Sequence, residues 1–295
     1  MHAEDVRTVA LPDGRQLSYA EYGDPTGRPV LYFHGIPGSR LSSAFADQPA
    51  RARGVRIIAI DRPGIGRSTF RPGRRFLDWP RDVAALTGAL GLETFAVAGV
   101  SGGAAYVAAC ALCLPERISF AGIISGMGPL ETPGATSGMR GMTRRRRLEI
   151  ALARRAPRLT CRLAQGHIAR ESDPRRGDVI AQMCAEVAPA DIALLGQPKT
   201  AAAVRRDFAE AFHQGPRGVA WDLILYARPW GFSPRDIPIE VHLWHGDADV
   251  TVPIAFGRAL AGSIPRCRAR YFPGEGHLLA ISYIDEMLDL IATRM

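Results

Sequence analysis

The stretch Gly99-Val100-Ser101-Gly102-Gly103 decides the fold of this chain. It joins the pattern of a buried strand, over residues 95–100, to a helical pattern over 102–114. A sharp strand-to-helix turn of this kind holds its serine in a strained conformation, and small neighbours prevent clashes. The hydroxyl then stands exposed above the sheet, near the positive end of the helix dipole. The stretch therefore predicts a nucleophile at Ser101, whereas a plain tight turn is the alternative.

Further strand and helix patterns alternate along the first 125 residues. Short runs rich in apolar residues have the length of strands, and the run at 16–22 alternates like a half-exposed one; the four runs cover residues 16–22, 30–33, 55–60 and 118–125. Residues 78–90 have helical spacing, with Asp78 as the expected N-cap. Repeated strand-helix units of this kind predict an α/β fold with a mostly parallel central sheet flanked by helices.

The alternation breaks after Ser125, and strand patterns resume only over 239–244 and 269–272. A stretch rich in Gly, Pro, Ser and Thr, at 126–141, is the expected hinge, and an Ala- and Arg-rich segment with helical periods follows it. These shifts predict a core that is interrupted by a helical cap insertion. The three expected parts are residues 1–127 of the core, residues 128–235 of the cap and residues 236–295 of the core.

A serine nucleophile needs a base, and the base needs an acid that orients it. Among the seven histidines, His277 alone follows the last predicted strand, in a glycine-rich loop that opens onto a helix. His242 lies inside a strand pattern, where we expect a packed or edge residue. For the acid, the loop after the preceding strand offers Asp247 and Asp249, of which Asp247 has the position of an ordinary turn residue. The loop after the 118–125 strand has no carboxylate before Glu131.

The tetrahedral intermediate of such a reaction needs two backbone N–H donors, together called the oxyanion hole. Gly102, directly after the serine, is the first expected donor. The second is expected in the loop His34-Gly35-Ile36-Pro37-Gly38, where Ile36 is the natural choice because Pro37 has no N–H. A glycine turn without a catalytic role is the alternative for this loop.

Together these motifs resemble the α/β-hydrolase fold family, in its esterase and proline-iminopeptidase-like branch. The matching stretches occur in family order, and they are FHGIPGSR at 33–40, DRPGIGRS at 61–68, GVSGG at 99–103, HGDAD at 245–249 and PGEGH at 273–277. The resemblance covers residues 5–125 and 236–295. In such families two residues separate the His-Gly pair from the acid, which selects Asp249. The resemblance implies a catalytic triad of Ser101, Asp249 and His277 and a variable helical cap.

The resemblance also narrows the reaction. Epoxide hydrolases and haloalkane dehalogenases of this fold use an aspartate nucleophile, whereas position 101 is serine. Proline iminopeptidases have Gly-Gly-Ser-Trp-Gly at the strand-to-helix turn of the nucleophile, called the elbow, and this chain departs from that pattern at Val100 and Gly102. We therefore expect acyl transfer to water, with a carboxylic ester or lactone as the small-molecule substrate. No metal or organic cofactor is implied.

Two other functions remain open at this stage. An aminopeptidase, amidase or C–C bond hydrolase would use the same triad, and a peptidase would need a cap carboxylate for a free amine. The possible carboxylates are Glu171, Asp173, Glu186, Asp191 and Asp222. A ligand-binding receptor on the same fold is the alternative of a different class.

The aromatic residues of the expected cap allow two interpretations. They either line a substrate pocket or hold the cap to the core, and they are Trp221, Tyr226, Trp230 and Phe232.

Composition excludes several other classes. The 295 residues are 47% hydrophobic and 22% charged, which is typical of a globular protein with a large core. No apolar run reaches the ~18 to 20 residues that span a bilayer, and residues 1–13 do not have the pattern of a secretory signal, so we expect a cytoplasmic protein. The oligomeric state does not follow from the sequence.

The cysteines and arginines predict no further catalytic site. The five cysteines are odd in number and scattered, so we expect no structural disulfide, and the Cys110-x-x-Cys113 pair has no second pair to complete a zinc site. The net charge of +8 comes almost entirely from arginine. The run at 144–147 is its one cluster, which we interpret as a solvated face, with an anionic partner as the alternative. No nucleic-acid-binding motif accompanies it.

Overall fold

An eight-stranded sheet forms the centre of the computed structural model, which describes residues 6–132, 134–142, 144–156, 159, 162–163 and 178–294. Its strands run in the order β1-β2-β4-β3-β5-β6-β7-β8. β1 and β2 pair antiparallel, as do β2 and β4, and all the other pairs are parallel. The strands are β1 (Arg7–Ala10), β2 (Gln16–Gly23), β3 (Arg28–Phe33), β4 (Val55–Ile60), β5 (Phe95–Val100), β6 (Ile118–Ile124), β7 (Val241–Gly246) and β8 (Cys267–Phe272). The predicted α/β class is confirmed.

Twelve α-helices have bounds within the described residues and accompany the sheet. They are α1 (Asp47–Arg51), α2 (Trp79–Ala89), α3 (Ala104–Cys113), α4 (Ala135–Gly141), α5 (Arg144–Arg155), α6 (Val179–Cys184), α7 (Pro189–Leu195), α8 (Pro198–Ala211), α9 (Arg217–Tyr226), α10 (Ile254–Ser263), α11 (Leu279–Ser282) and α12 (Ile284–Arg294). α2, α3 and α10 share an apolar cluster on one face of the sheet. α1 and α12 share a second cluster on the other face. Both faces are therefore covered, as in other doubly wound sheets.

β2 differs from the half-exposed strand that its alternation predicts. Leu17 and Tyr19 pack into the cluster on one face, whereas Ala20 and Tyr22 pack into the cluster on the other. β2 lies between β1 and β4, so both of its edges are paired, and the two clusters cover its faces. The polar alternation reflects Ser18, whose buried hydroxyl donates a hydrogen bond to Asp61.

Asp78 precedes α2, but it does not cap that helix as predicted. Its side chain accepts a hydrogen bond from the backbone N–H of Arg75, and it makes no capping bond to α2. A one-turn 3₁₀ helix at Phe76–Asp78 leads into α2, so the first free N–H groups lie three residues earlier than helical periodicity implies.

Residues 128–235, which we call the inserted segment, contain helices and connecting turns but no strand in the part that the structure describes. α4 forms within the Gly/Pro-rich stretch that the sequence marks as a hinge, and it contacts α10 of the core. α8 packs on the 3₁₀ turn at Arg40–Ala46 that follows the β3 loop. Within the described residues no helix combines the length and apolar character needed to cross a bilayer.

Candidate active site

Ser101 occupies the sharp turn between β5 and α3, and it is the first residue of a one-turn 3₁₀ helix, Ser101–Gly103. Its φ angle is 52°, a left-handed conformation that costs a residue other than glycine about 1 to 3 kcal/mol. The neighbouring glycines explain how the turn fits. A Cβ on Gly103 would lie 2.2 Å from the carbonyl oxygen of Phe33, and one on Gly99 would lie 2.8 Å from Val107. Only small residues permit this turn beside β3 and α3.

Asp249 and His277 meet directly at the carboxyl end of the sheet. His277 Nδ1 lies 2.8 Å from Asp249 Oδ2, and Asp249 Oδ1 accepts the backbone N–H groups of Thr251 and Val252 at 2.9 and 2.8 Å. Burial alone would raise the pKa of Asp249, but the adjoining His277 and His245 side chains lower it below its ordinary value. Asp249 is therefore a buried carboxylate held in its charged form.

Asp247, the rival acid, has a different role. It is exposed, and its carboxylate accepts the backbone N–H of Gly274 at 2.7 Å. The structure thus brings Asp249 to the histidine and leaves Asp247 as a turn residue that holds the loop after β8.

His245 is a second histidine beside Asp249, and the sequence analysis gave it no role. Its Nε2 lies 2.8 Å from the carbonyl oxygen of Val252 and 3.4 Å from Asp249 Oδ2. The ring is fully buried at the end of β7, and a Cβ on Gly257 of α10 would lie 2.4 Å from its Nδ1. His245 therefore fixes the loop that carries the acid.

Ser125 connects the histidine loop to the strand beside the elbow. It follows β6, it has a left-handed φ of 49°, and its hydroxyl donates a 3.1 Å hydrogen bond to the carbonyl oxygen of His277. β6 pairs directly with β5, the strand that ends at Ser101. Ser101 therefore follows β5, and the backbone of His277 is bonded to the residue that follows the neighbouring strand β6, at the same end of the sheet.

Ile36 and Gly102, the two expected oxyanion donors, are in close contact. A Cβ on Gly102 would lie 2.3 Å from Ile36 Cγ1, so the loop after β3 packs directly on the residue after the nucleophile. His34 is fully buried at the base of this loop. Burial lowers its pKa well below the ordinary value, and the Arg62 charge lowers it further. His34 is thus neutral, with Nδ1 donating to Gly35 O and Nε2 accepting the Arg62 N–H.

Arg62 holds the loop of the expected oxyanion hole from below. Its guanidinium is fully buried, and it donates to the carbonyl oxygens of His34 and Gly35, the second at 2.8 Å. Its Nε donates to Asp222 of α9 at 2.9 Å. The loop is therefore fixed by an ion pair that reaches into the inserted segment. Sequence reasoning missed this role, although Arg62 lies in the DRPGIGRS motif.

Asp222 is the centre of a buried polar cluster. Its second oxygen accepts from Arg74 and, at 2.7 Å, from the hydroxyl of Tyr106. Burial alone would raise the pKa of Asp222, but the charges of Arg62 and Arg74 lower it below its ordinary value. A buried carboxylate with two arginine partners is costly to disrupt, because loss of one charge leaves the others unpaired. The cluster fastens α9 to the core.

The four aromatics considered for a pocket pack against the core, and the ring of Phe232 lies 5.5 Å from that of Trp230. Tyr226 and Trp230 are 5% and 2% exposed, and both make edge-on contacts with the ring of Phe76. The Tyr226 hydroxyl donates to Gly102 O and accepts the N–H of Ala105, both at 3.0 Å. Trp221 is partly exposed and donates to the carbonyl oxygen of Arg74. These contacts match the second interpretation above, in which the aromatics join the segment to the core.

The remaining expectations concern charged and metal-binding groups. His242 is a packed residue of β7, and its ring stacks on those of Phe120 and Trp244. Arg144 and Arg147 are exposed at the start of α5. Glu171 and Asp173, two of the carboxylates considered for a free amine, lie outside the described residues, as does His167 of the expected cap. No group of three histidine, cysteine, aspartate or glutamate side chains in the described ranges is arranged to hold a metal ion.

Asp207 of α8 also supports the loop after β3, through Ser39. Its carboxylate accepts both the backbone N–H and the hydroxyl of Ser39, at 2.8 and 2.6 Å. Burial raises the pKa of Asp207 to about 7, against the lowering effect of the Ser39 hydrogen bonds, and the neighbouring charge of Asp61 raises it further. Arg62 opposes this rise, and the hydroxyl of Tyr32 faces the same group.

This shift predicts a stability that falls as pH rises. Between about pH 4 and 7 the folded protein keeps the Asp207 proton that the unfolded chain has lost, so unfolding becomes easier across that window. Asp207→Asn removes the effect. Relative to the parent, the variant should gain on the order of 2 to 4 kcal/mol between pH 4 and pH 8. Urea unfolding at several pH values measures this, and parallel curves for the two proteins would contradict it.

The chain is similar in sequence and fold to known proteins. The sequence model of a family described as alpha/beta hydrolase fold matches residues 28–282. The chain belongs to that family. Non-heme chloroperoxidase of Streptomyces lividans is 35% identical over 135 residues, which cover 44% of this chain and 48% of that protein. Proline iminopeptidase of Xylella fastidiosa is 32% identical over 114 residues, which cover 37% of this chain and 36% of that protein.

These matches span less than half the length of the two curated relatives. A solved structure matches over nearly the full length: a thermophilic esterase from Thermogutta terrifontis has a TM-score of 0.67 at 21% identity, covering 98% of this chain and 97% of that one. At this identity the structural match shows the fold alone. Family membership and the sheet together support a hydrolase.

Proposed function

We propose that this protein is a serine hydrolase that cleaves carboxylic esters, lactones included, through an acyl-enzyme on Ser101. One observation carries the proposal: the left-handed Ser101 after β5 lies at the same carboxyl end of the sheet as the hydrogen bond between His277 and the buried Asp249. A strained, accessible serine and a histidine oriented by a buried carboxylate are the parts of an activated hydroxyl nucleophile.

Each group has one task in the proposed reaction. The Ser101 hydroxyl attacks the carbonyl carbon, and His277 takes its proton and delivers it to the leaving alcohol. A water molecule then attacks the acyl-enzyme with the same base, which releases the acid and restores Ser101. Asp249 accepts the Nδ1–H of His277, which leaves Nε2 free to act as the base and stabilises the imidazolium that forms.

The backbone N–H groups of Ile36 and Gly102 are the proposed oxyanion donors. Their support is the direct packing of Ile36 on Gly102 and the fixed position of the loop above Arg62. Preorganised donors of this kind stabilise the negative charge that develops on the carbonyl oxygen, and each contributes about 3 to 4 kcal/mol to the lowering of the barrier.

The inserted segment, residues 128–235, acts in this proposal as a cap that selects the substrate. Three of its carboxylates bind core loops around the site: Asp207 binds Ser39, Asp222 binds Arg62, and Asp191 binds the backbone of His277. We do not include Tyr226 and Trp230 in the proposed pocket, because both are buried in packing contacts. Trp221 is partly exposed and stays a candidate.

An aminopeptidase is the second candidate function, and the placement of two carboxylates disfavours it. Asp191 uses both of its oxygens on backbone N–H groups, and Asp222 is paired with Arg62 and Arg74. Neither is therefore available to bind the free amine of a peptide. Glu186 remains exposed and unassigned.

A panel of p-nitrophenyl esters of increasing acyl length, assayed beside aminoacyl p-nitroanilides, tests the proposal. We expect ester hydrolysis that persists in EDTA, with kcat/KM for the best ester exceeding that for any anilide by about 100-fold, which corresponds to about 2.7 kcal/mol. Faster anilide cleavage would establish the peptidase instead. No turnover, combined with no labelling by a fluorophosphonate probe, would favour a ligand-binding receptor.

A further inference from the structure

Asp191 makes an unusual pair of contacts with the loop that carries His277. Its Oδ2 accepts the backbone N–H of His277 at 2.9 Å, and its Oδ1 accepts the N–H of Leu278 at 2.8 Å. The carboxylate is fully buried on α7 of the inserted segment, 86 residues earlier in the chain than His277. Among the described residues, no arginine, lysine or histidine side chain forms an ion pair with it.

Burial of a carboxylate without a cationic partner is costly, and hydrogen bonds to the charge are its main compensation. Both of these hydrogen bonds go to the chain just before α11, whose first N–H groups have no partner within the helix. Asp191 therefore stabilises one particular backbone position of the histidine loop.

The fit between Asp191 and the loop is tight. A Cβ on Gly276 would lie 2.3 Å from Asp191 Oδ2 and 2.5 Å from its Cγ, so only glycine permits this approach. The Leu278 side chain packs against the apolar cluster formed by Ile180, Leu195 and Ala201 of α6, α7 and α8. The inserted segment thus contacts the loop through both polar and apolar groups.

The core holds the backbone of His277 on the other side of its peptide chain from Asp191. Ser125 donates to the His277 carbonyl oxygen, while Asp191 accepts the His277 N–H. The backbone of His277 is therefore fixed from two sides, and its imidazole is fixed by Asp249. Of these three contacts, only the one with Asp191 comes from outside the core.

We propose that Asp191 is a positioning residue for the general base, so that His277 is correctly placed only while α7 of the inserted segment packs against the histidine loop. Asp191 acts through the backbone of His277 and touches no reacting atom. This inference rests on the proposed function, and it deepens that function by making the cap segment part of the catalytic machinery. A misplacement of about 1 Å is enough to lower a rate by about 100-fold.

Asp191→Asn is the sharpest variant, because it keeps the volume of the side chain while turning one acceptor into a donor. That donor would face a backbone N–H group, so one of the two hydrogen bonds is lost. We expect kcat for a short p-nitrophenyl ester to fall by about 10- to 100-fold, with KM changed by less than about 2-fold. Gly276→Ala, which places a Cβ against the same carboxylate, should have the same effect.

Glu210→Gln is the matched control. Glu210 is another carboxylate of the inserted segment, and it accepts a 2.6 Å hydrogen bond from Arg40, away from the histidine loop. The same chemical change there should leave kcat within about 2-fold of the parent. An equal loss of kcat in Glu210→Gln and Asp191→Asn would show a general loss of cap packing and would overturn the positioning role.

Hydrogen exchange of the His277 and Leu278 amides gives a readout that does not depend on activity. Both amides should be protected in the parent and should exchange at least about 10-fold faster in Asp191→Asn, but not in Glu210→Gln. If the parent is not labelled at Ser101, the proposed function fails, while this exchange result still decides whether Asp191 holds the loop. Unchanged exchange together with unchanged kcat in Asp191→Asn would overturn the inference.

Discussion

Replacing Ser101 with alanine is expected to lower kcat for p-nitrophenyl esters by about 10⁴- to 10⁶-fold, and to abolish labelling by a fluorophosphonate probe. The variant loses the only atom that forms the acyl-enzyme. His277, Asp249 and the proposed oxyanion donors remain, so we expect water to be activated at a small fraction of the original rate. Intact-mass spectrometry after probe treatment measures the labelling, and an ester assay measures the residual rate.

The stability of Ser101→Ala provides an additional expectation. Alanine tolerates φ near 52° no better than serine, so the turn should stay strained and the free energy of unfolding should change by less than about 1 kcal/mol. Ser263→Ala is a suitable control, because the Ser263 hydroxyl is buried and bonded to the Leu260 carbonyl oxygen within α10. It should keep full labelling. Full labelling of Ser101→Ala would refute the nucleophile.

The sequence was most informative where local pattern alone determines the structure. β4 and β5 have the bounds that their apolar runs predict, and the turn at Ser101 follows from the glycines around it. The turn places a left-handed serine between a buried strand and a buried helix, which allows few residue types at each position. The five residues at 99–103 are therefore enough to predict the turn. β1, with four residues at the sheet edge, leaves too short a pattern to recognise.

The support of the site was not predictable, because it depends on contacts between distant residues. Arg62 and Asp222 are 160 residues apart, and Asp191 is 86 residues from His277. In the sequence these carboxylates look like those of any solvated helix face, since helical periodicity does not reveal the partner of a buried charge. Sequence reasoning named Asp191 and Asp222 for binding an amine, but in the structure they bind the core.

The aromatic residues at and just after the end of α9 illustrate a different limit. Tyr226 and Trp230 have the same spacing whether they face a pocket or a core, so their type and position left both roles open. The deciding information is the partner of the Tyr226 hydroxyl, which bonds the backbone of Gly102 and Ala105 behind the elbow. Tyr226 therefore fixes the backbone next to the turn that carries Ser101.

Asp249→Asn is expected to reduce kcat by about 10³- to 10⁴-fold while the protein stays folded. The hydrogen bonds at Asp249 explain why. Its Oδ1 accepts the N–H groups of Thr251 and Val252, so the oxygen of an asparagine would stay on that side. The new NH₂ group would then replace Oδ2 and face the Nδ1 of His277.

That exchange reverses the hydrogen bond on which the base depends. The NH₂ group donates to His277 Nδ1, so the imidazole proton moves to Nε2, the nitrogen that must accept the proton of Ser101. His245 makes the substitution more unfavourable. Its Nε2 carries the proton that it donates to the Val252 carbonyl oxygen, and it lies 3.4 Å from Asp249 Oδ2, so the new NH₂ group would face a second donor. The loss should therefore appear in kcat rather than in KM, with fluorophosphonate labelling slowed in proportion.

Asp247→Asn is the matched control for this prediction. Asp247 lies two residues earlier in the same loop, but it is exposed and accepts only the N–H of Gly274. An asparagine oxygen can accept the same hydrogen bond, so we expect a loss of kcat below about 10-fold. Steady-state kinetics of the two variants with one ester measures the ranking. The opposite ranking would assign the acid to Asp247, and equal small losses would mean that His277 is not oriented by a carboxylate from this loop.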